Sequence, residues 1–112
     1  LDHYNTASQL GSLSATNNLA WMLATTADAD TVDPQRAVEL ITPLVLYLGH
    51  WQHLDTLAAA HAREGNTALA VRLQQQALTQ ALSQTQGSAT AEQVSGMQER
   101  LELYQAGQHF VN

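Results

Sequence analysis

The sequence predicts an all-α protein, and three observations predict it. Alanine, leucine and glutamine, which lose little on entering a helix, are abundant in the 112-residue chain, and it has only two prolines. β-Branched residues never gather into the alternating runs of a half-buried strand. The chain also repeats one large/small pattern: "NNLAWMLAT" at 17–25 and "LDTLAAAHAREGN" at 54–66 each set an alanine beside a leucine, with a bulky residue four places on from that leucine.

Residues 1–10 read as the tail of a helix that Gly11 and Ser12 end. Residues ~14–26 form the first full helix, with Leu19, Ala20 and Leu23 on one stripe. Asp33-Pro34 starts the next, because a carboxylate caps the free amides and proline has no amide to lose. That helix covers ~34–48 and stops at Gly49, and Pro43 inside it predicts a kink or interruption near Glu39. A helix over ~51–64 ends at Gly65-Asn66, and another covers ~67–86 before Gly87. Thr90 and Gln93 make a capping box that opens the last helix, ~91–106, with Val94, Met97, Leu101 and Tyr104 inward. Short loops imply antiparallel neighbours. Ala20, Ala37, Ala58 and Ala70 are expected where helices approach closely.

Composition narrows the function classes. A 45% apolar content suits one soluble domain with its own core. No run approaches the ~20 apolar residues that span a bilayer, and "LDHYNTASQL" has neither the basic nor the apolar region of a signal peptide. Leu1 in place of an initiator methionine points to a piece of a larger protein. With no cysteine, thiol chemistry and disulfides are excluded. Four arginines, no lysine and a net charge of −6 work against nucleic acid, whose binding needs cations on the phosphates.

Two such hairpins in register resemble the tetratricopeptide repeat. Leu54, Leu57, Ala58, His61, Gly65, Ala70 and Ala77 of the second unit fall at that family's signature spacings. Leu19, Ala20, Leu23, Ala37 and Val38 carry the match in the first. Departures are His61 and Gln74 in place of usual signature residues, a longer first hairpin loop, Leu44 and Pro43. The closing "RLELYQAGQHF" looks like the capping helix and tail of bacterial members with "NNLAW…LAT" repeats. The resemblance implies an α-solenoid: 1–11 the end of a preceding repeat, 14–49 and 51–86 two repeats, 90–112 a capping helix and tail. It also implies a right-handed stack.

Chemistry-bearing candidates are few. His53 and His61 share a helical face near His50, but zinc needs further ligands. Asp28, Asp30, Asp33 and Glu39 mimic a calcium loop that lacks its turn glycine. No serine elbow and no glycine-rich phosphate loop occurs, so no enzyme, metal or cofactor is expected. Glu92, Glu99, Arg100 and Glu102 read as a solvated face. What remains is a surface. The resemblance implies a concave, partner-binding groove lined by the first helix of each repeat, at Asn17, Trp21, Ala24, Gln52, Asp55, Ala59 and Arg63. A lysine clamp for a partner's terminal carboxylate is excluded by composition. The expected function is a non-catalytic protein- or peptide-binding scaffold in a larger protein. The alternative is a structural or oligomerisation module. Weak self-association is expected through an N-terminal face bearing Trp21, covered only by the ten-residue stub.

Overall fold

Helix starts and stops follow local chemistry at most junctions of the computed structural model. It describes residues 6–83 and 89–112, with side chains from Ser12 onward. Among the described residues there are five helices and no strand: α1 (Thr6–Thr25), α2 (Pro34–Tyr47), α3 (Trp51–Arg63), α4 (Thr67–Leu82) and α5 (Ala91–Gln105). Asp33 caps α2, its carboxylate accepting the Arg36 N–H at 3.1 Å. The capping box of α5 is complete. Thr90 Oγ1 accepts from the Gln93 N–H at 3.1 Å, and Gln93 Oε1 accepts from the Thr90 N–H at 2.8 Å. Gly49 and Gly65 follow α2 and α3 with φ of 65° and 93°, a conformation that side chains with a Cβ rarely adopt.

Four expectations need correction. α1 runs straight through Gly11 and Ser12, so the break expected there is absent. One interior glycine costs about 1 kcal/mol relative to alanine, which a twenty-residue helix packed on two neighbours outweighs. Leu19 is exposed on α1, whereas Ala20 and Leu23 are buried. α2 is not interrupted at Pro43, which removes one of the two outcomes expected there. The lost bond falls on the carbonyl of Glu39, and both residues are exposed, so solvent can serve that carbonyl. Beside it, the Thr42 hydroxyl donates to the Val38 carbonyl at 2.6 Å. α4 ends at Leu82 because Ser83 is extended (φ −72°, ψ 133°). Residues 84–88, with the Gly87 stop, and residues 1–5 of the N-terminal stub lie outside the described residues.

α1 packs on α2 and α3, α3 also on α2 and α4, and α5 on α4. The molecule measures 45 × 38 × 22 Å, and its least extent is about two helix diameters. Ala20, Ala24, Ala37, Ile41, Leu44 and Leu57 form the core between α1, α2 and α3. Trp51, Leu54, Ala77, Leu78 and Met97 join α3, α4 and α5. Ala58, Ala62, Ala70 and Tyr104 form a third cluster, against which Phe110 packs. Ala20, Ala37, Ala58 and Ala70 are all fully buried.

The carboxyl end of α1 organises the molecule. Four successive carbonyls there find donors: Leu23 from the Asp33 N–H (2.9 Å), Ala24 and Thr26 from the Arg63 guanidinium (3.3 and 2.9 Å), and Thr25 from the Asn112 N–H (2.7 Å). A cation at that end also meets the negative pole of the helix. Arg63, which the resemblance placed in the groove, thus caps the end of α1. Arg63→Ala should cost about 1–2 kcal/mol in urea denaturation. A change of a few tenths would deny it that role.

Candidate functional site

α1, α3 and α5 meet around one ion pair. Asp55 stands in the second turn of α3 between Leu54 and Thr56, and Arg100 reaches it from α5 in two-pronged fashion. Nε lies 3.2 Å from Oδ1 and Nη2 lies 3.0 Å from Oδ2. Gln74 of α4, completely buried, donates through Nε2 to Asp55 Oδ1 and to the Met97 carbonyl, both at 3.0 Å. Three helices are thus tied through one carboxylate. Burial holds the Asp55 carboxyl above the usual carboxylate range, even against the pull of Arg100 and Gln74. Charges so placed fix geometry at the expense of desolvation.

Arg100 was expected on a solvated face with Glu92, Glu99 and Glu102. It lies instead in the wall of the site, with Gly96 one turn earlier. A Cβ at Gly96 would come within 3.3 Å of the guanidinium, so the glycine leaves room for it. Two aromatic rings lie against the guanidinium. Its carbon is 5.0 Å from the Trp21 ring centre and 5.4 Å from that of Phe110, and the two rings are 5.8 Å apart. Phe110 belongs to the irregular segment 108–112, which leaves α5 at Gly107 (φ 77°) and returns to α1. Trp21 is therefore half-buried with the Phe110 ring against it; the cover expected from residues 1–10 lies partly outside the described residues.

Beyond the rings the site opens into a cavity of about 310 Å³. Asn17, Asn18 and Trp21 of α1, Trp51, Gln52, Asp55 and Thr56 of α3, and Glu92, Gln93, Gly96 and Arg100 of α5 line it. Asn17 is half-buried. Its Oδ1 lies 2.8 Å from Thr56 Oγ1, which also lies 3.0 Å from the Gln52 carbonyl, and the single hydroxyl proton serves one acceptor at a time. Of the residues the resemblance assigned to a groove, Asn17, Trp21, Gln52 and Asp55 converge on this cavity. Ala24 and Ala59 do not. They are 0% and 1% exposed in the core with α2, out of reach of a ligand. Arg100 and Thr56 were not anticipated there, nor was the Phe110 ring against Trp21 and Arg100 beside it.

A wider hollow of about 820 Å³ lies between α2 and α4, lined by Val45, Leu69, Arg72, Leu73 and glutamines of α4. Among the described residues, no buried ion pair lies in its lining. The other candidates are committed locally. Asp28 accepts from the Asp30 N–H at 3.0 Å and the Thr31 hydroxyl at 2.7 Å, and Asp33 is the α2 cap. His50 and His53 meet edge to face at 5.6 Å, and burial, with the charge of His50, holds His53 below its ordinary value. Among the described residues, no three His, Cys, Asp or Glu side chains converge as metal ligands. No helix there is long and apolar enough to cross a membrane. Compared with family models, with curated proteins and with solved structures, the chain matched none.

Proposed function

We propose that this chain is a non-catalytic scaffold that binds an extended peptide or protein segment, within a larger protein. Its fold in this reading is a short tetratricopeptide-like solenoid: α1–α2 and α3–α4 as two hairpins, α5 as the cap. Support comes from the packing of α1 on α3 across the intervening α2, as first helices of stacked hairpins do.

One observation carries the proposal. The groove already accepts a stretch of polypeptide, with an aromatic ring seated on Trp21 and Arg100 and a main-chain N–H donated to Thr25. Main-chain bonding with a side-chain anchor is how grooves hold peptides of varied sequence. A phage-displayed peptide library, selected against the full chain, should enrich aromatic-containing peptides that Trp21→Ala no longer retains. No enrichment, or equal retention by Trp21→Ala, counts against the reading.

The alternative is a module that joins copies of the chain. Leu46, Tyr47 and Leu48 favour it: they are consecutive, exposed apolar residues at the end of α2, with Leu46 76% and Tyr47 86% exposed. Sedimentation of the wild type and of Leu46→Glu/Tyr47→Glu separates the two readings.

A further inference from the structure

We propose that the partner of this groove is an extended peptide that sets an aromatic side chain against Trp21 and Arg100 in place of Phe110, so that segment 108–112 is a built-in competitor the partner must displace. The inference rests on the peptide-binding reading above, and it specifies the ligand.

The seat for the ring is built before any ligand arrives. Asp55 fixes the Arg100 guanidinium from one side, and Trp21 is held on α1, so a ring meets two preset flat faces. Recognition is by ring face, which any aromatic side chain can present. Two residues after the ring, a main-chain N–H reaches the Thr25 carbonyl, a contact that imposes no side chain. The ligand class is thus an aromatic residue followed by an extended pair. Its flanks should be neutral or basic: Arg100 is neutralised by Asp55, Glu92 stands at the cavity wall, and the chain carries −6 overall.

Segment 108–112 holds this seat through the Phe110 ring, which also packs against the Tyr104 cluster, and through the Asn112 N–H. Gln108, His109, Val111 and Asn112 are exposed, and only Phe110 is partly buried. What favours the segment is its tether, since a short linker from Gly107 sets an effective concentration on the order of mM. A free peptide must outcompete that. It also has something the resident lacks, because the cavity walled by Asn17, Asn18 and Gln52 continues beyond the rings. Side-chain amides there can pair with the main chain of a longer segment.

The test uses the full chain and a synthetic Gln-His-Phe-Val-Asn peptide blocked at both ends, titrated by calorimetry. Phe110→Ala should bind the peptide at least ten-fold more tightly than the wild type, and a peptide with alanine for phenylalanine should bind neither protein. Asn112→Pro, which removes the N–H donated to Thr25 but keeps Phe110, should gain several-fold and stands in if Phe110→Ala fails to fold. Equal affinity for wild type and the folded variants overturns the competition while leaving peptide binding intact. No binding to a folded variant overturns the ligand class, and the library selection then decides the groove separately.

Discussion

Asp55→Ala is expected to lower stability by about 3–5 kcal/mol. Removing the carboxylate leaves the Arg100 guanidinium partly buried between two rings with no counter-charge, and takes from Gln74 one of its two acceptors. The loss is a penalty on the partners left behind. It is not the net worth of the pair. Because burial holds the Asp55 carboxyl above its ordinary range, the ion pair does not fully offset its own desolvation. Asp55→Leu with Arg100→Met should therefore recover most of the stability lost by the single change, and should bind peptide less well for want of the guanidinium. Chemical denaturation of the three proteins checks this. A single-mutant loss below about 1 kcal/mol would mean that solvent reaches the pair freely.

The two tryptophans should behave differently. Trp51 opens α3 and is buried against Leu54, Ala77, Leu78 and Met97, so Trp51→Ala should cost about 3–5 kcal/mol through the cavity it leaves. Trp21 is half-buried, and its replacement by alanine should cost about 1–2 kcal/mol, in proportion to the apolar area it covers. Peptide retention should be lost in Trp21→Ala, which removes the face the aromatic ring stacks on. Trp51 also lines the cavity, so its variant reports on stability alone. Equal stability losses would place both rings in one environment.

Much of the fold is legible in the sequence because helix boundaries are local. Asp33-Pro34, the Thr90/Gln93 box, Gly49 and Gly65 act on residues within one turn of themselves. Gly11 misleads because a cost of about 1 kcal/mol is small beside tertiary packing. The groove is half legible. Asn17 and Trp21, like Gln52 and Asp55, are one turn apart on their helices, and that spacing brings each pair to one face. What covers a face is not local. Ala24, Ala59 and Arg63 look equally available on a helical projection, yet α2 buries the first two and the end of α1 claims the third. Arg100 is hidden by its neighbours Glu99 and Glu102, since its partner Asp55 is 45 residues away. Gln74 did carry a signal, a polar residue on the packing stripe of α4. Phe110 lies in the tail expected after the capping helix and does cover apolar surface beside Tyr104. An irregular segment has no periodicity, however, to show that its ring would also reach Trp21.

The most direct test is to map where a selected peptide binds, by nuclear magnetic resonance on the isotopically labelled full chain. Peptide binding in the groove requires shifts at the Trp21 indole, the side-chain amides of Asn17, Asn18 and Gln52, and the backbone amide of Asn112 as its bond to Thr25 is released. Shifts confined to Leu46, Tyr47 and Leu48, or a groove that stays silent at saturation, would contradict it.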